Sequence, residues 1–343
     1  MLLAGDIGGT KTLLGIFAAA PERPTPVDVA EFVTLDFDGI EPMIAAFLES
    51  RRLESRRIDA SCFGVAGAVT GQVARMTNVP WRVDGAAVAR TLGFKRSRVL
   101  NDLEALAYGV TVLQPDELAV LQRGVALADG NAAVIAAGTG LGEALLLNVE
   151  GRLVPGESEG GHADFAARTA RELDLVRELT PRFGRVSVEH VLSGAGLVNL
   201  YQFTHDSFGT RQSGPPDDIA PARLCAGVGD VEDASELPAR ISRAAMDRRC
   251  EQCEDALEMF VSAYGAEAGN IALRAVATAG VYVGGGIAPK ILPALQSGVF
   301  LEAFRAKEPM AHLVATIPVA VILNSDAGLI GAASYAQYLS VKG

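Results

Sequence analysis

Three residue types recur where this sequence could do chemistry: carboxylates, glycines in runs, and a hydroxyl beside them. The stretch "LLAGDIGGTKTLLGIF" sets Asp6 ahead of Gly8, Gly9 and Thr10 between two apolar runs. Glycines let backbone N–H groups come close to an anion, and a threonine adds a donor, so the turn suits a phosphate. The P-loop spacing G-x-x-x-x-G-K-[ST] is absent, and an apolar strand rather than a helix follows, so this is not the familiar nucleotide loop. The device then repeats. "AAVIAAGTGLGEALLLN", residues 132–148, again reads strand, turn (Gly138, Thr139, Gly140) and strand. Two such hairpins could hold one polyphosphate from opposite sides.

Four further stretches carry polar groups at turns. "SRVLNDLEALAYGV" puts Asn101 and Asp102 where an apolar strand passes into a helix. Either residue there can serve as a helix N-cap; alternatively one caps while the other carboxylate, kept ionised by the helix terminus, accepts a hydroxyl proton. "ESEGGHADF" holds Glu157, Glu159 and His162 around a Gly-Gly and suits hydrogen bonding to a polyol. Its Gly156–Ser158–Gly160 match to G-x-S-x-G lacks the buried strand and packed helix of a nucleophile elbow. "VSVEHVLSGAGL" places Glu189 and His190 at the start of a helical pattern; by itself Glu189 reads as a first-turn acid. In "GVYVGGGIAPKIL", Gly284 to Gly286 end a strand before a proline-opened helix, where a flat adenine or ribose could lie on the backbone, or where the chain simply turns.

The elements that must position these residues alternate. "VAEFVTLDF", "ASCFGVAG", "SRVL", "GVYVGG" and "IPVAVILN" have the β-branched, turn-bounded look of sheet strands, and "IEPMIAAFLESRRL", "VEHVLSGAGLVNLYQF" and Leu237 to about Thr278 have helical period. The pattern predicts an α/β protein of two domains facing across a cleft: residues 1–112 with the returning helix 324–343, and residues 113–323. The Pro/Asp/Gly-rich 211–236 stretch reads as a surface insertion.

Composition removes several classes. With 343 residues, 49% hydrophobic, the chain can bury a large core. A net charge of −11 argues against nucleic acid. The mixed-sign "ESRRLESRRID" reads as a solvated helix face. No signal-peptide pattern opens the chain, and no apolar run approaches the ~18 residues of a membrane span, so a cytoplasmic protein without membrane contact is expected. Four cysteines do not make a disulfide framework. Cys250 and Cys253 form a C-x-x-C with no second pair or neighbouring histidine in sequence to complete a zinc site, and they read as ordinary helix residues.

In order and company, the segments "DIGGTKT", "TNVPW", "LNDLEA", "AAGTGLGEALL", "EGGHADFA", "VEHVLSGAGLVNLY", "VGGGIAPKIL" and "DAGLIGAA" resemble the bacterial glucokinase family, within the actin-like ATPase fold of sugar kinases. The resemblance runs from Gly5 almost to the C-terminus. It implies ATP-dependent phosphorylation of D-glucose at the 6-hydroxyl. Asp6 would position Mg²⁺ through water, and Gly8, Gly9, Thr10, Gly138, Thr139 and Gly140 would contact the ATP phosphates. Gly285 and Gly286 would border the adenosine. Asn101, Asp102, Glu159, His162 and Glu189 would bind the glucose hydroxyls, with Asp102 as general base. Glu157 stays unassigned. A homodimer is expected from the resemblance alone. "PGESEGGH" is about two residues longer before the Gly-Gly than some members' version, and the cysteine-rich zinc motif of the related repressor–kinase group is missing, as is any helix-turn-helix segment ahead of Met1. Alternative readings are a kinase for another hexose or an amino sugar, a catalytically silent sugar sensor, and an actin-like chaperone or filament ATPase. The last leaves the Glu159, His162 and Glu189 cluster without a purpose.

Overall fold

The opening stretch folds as the hairpin its pattern dictates. In the computed structural model, β1 (Leu2–Ile7) pairs antiparallel with β2 (Lys11–Ala18), and the turn closes through Gly8 N–H donating to the Lys11 carbonyl at 3.0 Å. The structure describes residues 1–76, 79–156, 158–205, 224–231 and 233–342. The chain divides into two units: Met1–Leu118 with Arg152–Glu157 and Asn324–Gly343, and Ala119–Gly151 with Ser158–Leu323. Most of the 211–236 stretch lies outside the described residues.

The first unit continues with β3 (Thr25–Val33), α1 (Ile40–Ser50), β4 (Ala60–Val65), the small three-stranded sheet β5–β7 (Gly67–Thr70, Val73–Met76, Arg82–Asp84), α2 (Gly85–Leu92), β8 (Ser97–Asn101) and α3 (Asp102–Val110). Its main sheet has the order β3-β2-β1-β4-β8, in which β1, β4 and β8 run parallel. The second unit holds β9 (Leu118–Gln122), β10 (Ala132–Ala137) and β11 (Leu141–Val149). β12 (Arg152–Gly156) belongs to the first unit. Then come α4 (Ala170–Phe183), α5 (Gly194–Thr204), α6 (Leu237–Met246), α7 (Glu251–Ala275), β13 (Gly280–Gly284), α8 (Leu292–Leu295), α9 (Val299–Arg305), α10 (Ala311–Val314) and β14 (Val319–Ile322). The first unit is completed by α11 (Ala327–Val341). The second unit's strands follow the order β11-β10-β13-β14-β9, with β10/β11 antiparallel and β10, β13 and β14 parallel. Each sheet is thus a hairpin extended by parallel strands on one side, the same plan twice.

Period two along β1 sorts its side chains. Leu3 and Ile7 join the cluster that buries Ile40, Met43, Ile44 and Phe47 of α1, while Leu2 and Ala4 face Leu329, Ala332, Ala333 and Ala336 of α11. Asp6 falls on the α11 side by the same count. There α3 and α11 meet backbone to backbone: a Cβ on Gly331 would stand 1.7 Å from the Ala105 carbonyl oxygen, so only glycine permits the crossing. In the second unit α7 is the core helix, burying Phe260, Tyr264 and Ala268.

Boundaries differ from the pattern in three places. The charged "ESRRLESRRID" is largely past the end of α1 rather than on a helix face, its arginines exposed or paired, as Arg51 is with Asp28 at 2.8 Å. The helical stretch after Leu237 is two helices, broken between Met246 and Glu251, and Cys250 is the N-cap of the second. The pattern from Glu189 becomes helical only at Gly194, where Ser193 Oγ accepts the Gly196 N–H at 2.9 Å. No described helix is long and apolar enough to cross a membrane.

Candidate active site

In the first unit the polar residues gather at the C-terminal ends of the parallel strands, where open α/β sheets bind ligands. Asn101, the last residue of β8, caps α3: its Oδ1 accepts the Leu103 N–H at 2.8 Å, and its Nδ2 donates to the Gly67 carbonyl at 3.0 Å. Asp102 is the first residue of α3 and also accepts from Leu103 N, at 2.9 Å. Asn101 therefore takes the capping role open to either residue, and Asp102 sits in the first turn, where the helix terminus favours a carboxylate. Asp6 lies on β1, with β4 between it and β8, and pairs in register with Gly64 of β4. Its pKa is pushed up to about 6, first by burial, then by the charges of Asp102 and Asp326, with Lys11 opposing.

Asp326, the N-cap residue of α11, is a member of this group that its sequence context did not single out. The packing of α11 directly on β1 brings its charge to Asp6. An acidic corner of this kind, with Asp6 held above the ordinary carboxylate range by burial and then by like charges, fits a divalent cation. Mg²⁺ is commonly bound by one or two carboxylates, waters and substrate phosphates.

In the second unit the Gly138–Gly140 turn closes through Gly138 N–H donating to the Gly140 carbonyl at 2.8 Å. The Gly138 carbonyl accepts the Gly194 N–H at the start of α5, at 2.9 Å. Partly buried Glu189 braces the turn: its Oε2 accepts the Leu141 N–H at 2.8 Å. Glu189 is therefore not a first-turn helix acid; its carboxylate serves the hairpin. Its own N–H donates to the Gly161 carbonyl at 2.9 Å, which fastens the Gly-Gly turn of "ESEGGHADF" alongside. Glu159 and His162 flank that turn, both exposed, with His162 Nδ1 3.8 Å from Glu159 Oε2. Glu157 lies outside the described residues. His190 turns away: it stacks on Phe183 at 4.0 Å, its Nδ1 accepts the Ser187 N–H, and burial depresses its pKa.

The Gly284–Gly286 turn docks on the turn end of the second hairpin, at Ala137. Gly285 has φ +83°, and a Cβ there would stand 2.2 Å from the Ala137 carbonyl oxygen, so the position admits only glycine. The buried Tyr264 hydroxyl joins the two turns, accepting the Ala137 N–H at 3.1 Å and donating within 3.1 Å of the Gly284 carbonyl. Nothing in the helical pattern of α7 marked Tyr264 out, because a buried tyrosine on a core helix reads as packing. Glu143, inside "GTGLGEALL", was likewise passed over. It is buried beside Glu267, with Arg274 3.6 Å away, and its pKa rises to about 7, chiefly from burial and then from Glu267.

Two hairpin-entered α/β units, one carrying an acidic corner and the other two glycine turns, define a sugar kinase of the actin-like ATPase fold. The chain belongs to the Glucokinase family, whose model matches residues 3–339. It is 39% identical to a glucokinase of Nostoc sp. strain PCC 7120, with 99% of each chain covered. The crystal structure of a glucokinase from an Antarctic psychrotroph superposes with a TM-score of 0.83 at 28% identity, covering 98% of both chains. A glucokinase of Balamuthia mandrillaris, solved in complex with glucose, shares the fold with a TM-score of 0.72 at 22% identity, over 98% of this chain and 93% of that one.

Proposed function

We propose that this protein transfers the γ-phosphoryl group of ATP, as its Mg²⁺ complex, to the 6-hydroxyl of D-glucose, giving glucose 6-phosphate and ADP. The observation that carries the reading is Asp102 on the first residue of α3, electrostatically coupled to Asp6, in a chain of the Glucokinase family. Phosphoryl transfer passes through a loose transition state, so the residues need mainly to align the reactants and balance charge. Asp102 orients the 6-hydroxyl and takes its proton. Asp6 would hold Mg²⁺ through water, and the ion would supply charge neutralisation on the phosphates.

The Gly8–Thr10 and Gly138–Gly140 turns would hold the phosphates, through N–H groups other than those of Gly8 and Gly138, which close the turns, with Gly285 and Gly286 along the adenosine. The remaining hydroxyls of glucose meet Asn101, Glu159, His162 and Glu189. Asn101 has one Nδ2 hydrogen to give a sugar, since the other is held by Gly67. A buried acceptor left without its hydroxyl costs ~1–3 kcal/mol, which selects against sugars lacking one. The family resemblance also implies a homodimer, which light scattering on the purified protein tests.

The deciding experiment measures ADP release from Mg-ATP with glucose, mannose, fructose, N-acetylglucosamine or no sugar. Turnover with glucose well above the others is expected. Preference for another sugar would overturn the substrate, and silence across the panel in folded protein would overturn the kinase. Asp102→Asn should lower kcat by roughly 10²–10⁴-fold while glucose binding by calorimetry persists.

A further inference from the structure

The four residues His205, Cys225, Cys250 and Cys253 come from three separate places in the second unit, and none has a part in the phosphate or sugar assignments. His205 directly follows α5, Cys225 opens a turn in which Val228 and Gly229 N–H groups donate to its carbonyl, and Cys250 and Cys253 bracket the first turn of α7. Their ligand atoms, Nε2 or Sγ, all lie within 4.8 Å of one another. Cys225 Sγ is 3.7 Å from Cys253 Sγ, and Cys250 Sγ is 3.4 Å from His205 Nε2. The three cysteines are free thiols.

These separations have a specific meaning. A disulfide needs sulfurs at about 2.05 Å, far closer than the pair here. A tetrahedral ion with Zn–S near 2.3 Å and Zn–N near 2.0 Å sets its ligand atoms about 3.5–3.8 Å apart along each edge. The two measured contacts fall on or beside that range. The histidine is also oriented as a ligand should be. Its Nδ1 hydrogen-bonds the Tyr201 carbonyl at 2.8 Å, and the ring lies against the Tyr201 ring at 3.9 Å, which leaves Nε2 facing the thiols. Tyr201 is fixed in turn, its hydroxyl accepting the Cys225 N–H at 2.8 Å. Cys250 caps α7 and Cys253 lies in its first turn, which places both sulfurs at the same end of one helix. Three sulfurs and one nitrogen favour zinc over the harder magnesium or calcium.

We propose that His205, Cys225, Cys250 and Cys253 form a closed structural zinc site. The ion ties the end of α5 and the Cys225 turn to the start of α7, and binding releases the thiol protons of the cysteines to solvent. The arrangement does not depend on which sugar the enzyme uses. On this proposal Cys250 and Cys253 are more than ordinary helix residues, the other two ligands being distant in sequence and near in space.

The test uses the full chain, purified under reducing conditions without a polyhistidine tag, and elemental analysis of its metal. About one zinc per chain is expected. Cobalt(II) titrated into the reduced, metal-stripped protein should give the visible bands of tetrahedral cobalt and a sulfur-to-cobalt charge-transfer band. Cys253→Ser and His205→Ala should each weaken zinc binding by more than about 100-fold, judged by competition with a chromophoric chelator. Cys62→Ser, a thiol buried in the first unit, should leave it unchanged. Zinc below about a tenth of an equivalent with no cobalt–thiolate band would overturn the proposal. Metal uptake indifferent to all three cysteines would do the same, as would a disulfide among them in the reduced-purified protein. The cobalt titration decides the matter on the unmodified chain even where a cysteine variant fails to fold.

Discussion

Glu189 Oε2 accepts the N–H of Leu141 at 2.8 Å, so a carboxylate assigned to the sugar also fixes the turn assigned to the phosphates. Glu189→Ala leaves that N–H without its partner, a loss of about 1–3 kcal/mol. Steady-state kinetics should then show the KM values for glucose and ATP rising together, each by roughly 10-fold. A rise confined to glucose would separate the two roles.

Tyr264 invites a cleaner separation. Its hydroxyl serves only backbone groups at the ends of β10 and β13, among them Ala137 N–H and the Gly284 carbonyl. Tyr264→Phe should cost about 1–3 kcal/mol of stability in denaturant unfolding and raise the KM for ATP. Glucose affinity by calorimetry should stay near that of the unaltered protein.

Asp6 lets function be weighed against stability. Its folded pKa of about 6 lies above the ordinary carboxylate value of 3.8. The folded state therefore binds this proton more tightly than the unfolded chain, and stability drawn from it falls as pH rises from about 4 through 6. Asp6→Asn should abolish turnover yet stabilise the metal-free protein at pH 7.5 by an amount on the order of 1–3 kcal/mol, read from urea unfolding. At pH 4 the gain should vanish.

Glu117 carries the opposite sign. Arg23 grips it through two hydrogen bonds of 2.6 and 2.9 Å, and the guanidinium holds its pKa at about 2, with Gln114 N–H and Asn324 assisting. Its contribution is complete above pH 4.5 and is lost as pH falls toward 2. Glu117→Gln should cost about 1 kcal/mol at pH 7, the pair being near enough to solvent for screening, and almost nothing at pH 2.5. Urea midpoints at the two pH values read this directly.

Local pattern carried a good deal of this molecule. Both hairpins, the strand-to-helix step at Asn101–Asp102 and the Gly284–Gly286 turn were visible because alternation and glycine are short-range signals. What escaped depends on contacts between distant segments. Asp326 joins Asp6 only because α11 packs on β1, and Tyr264 matters only because β10 and β13 end side by side. Cys250 and Cys253 read as helix positions because "AAMDRRCEQCEDALEMF" keeps an apolar period straight through the break before α7. The function was legible through the resemblance, since single polar residues at turns are ambiguous and eight ordered segments are not.

The Gly331–Ala105 crossing bears on how the chain acquires its shape. The layer that covers Leu2, Ala4, Cys62 and Leu100 comes from α11, and the second unit is synthesised between them. A ribosome therefore releases the first sheet with one greasy side bare and keeps it waiting while the intervening segment is made. Contacts of such long sequence separation are slow to form, and a naked sheet face is where aggregation starts. A fragment ending at Leu118 should be insoluble when expressed by itself and rescued by co-expressed residues 324–343, so this protein's birth, more than its mature state, is where chaperones have work to do.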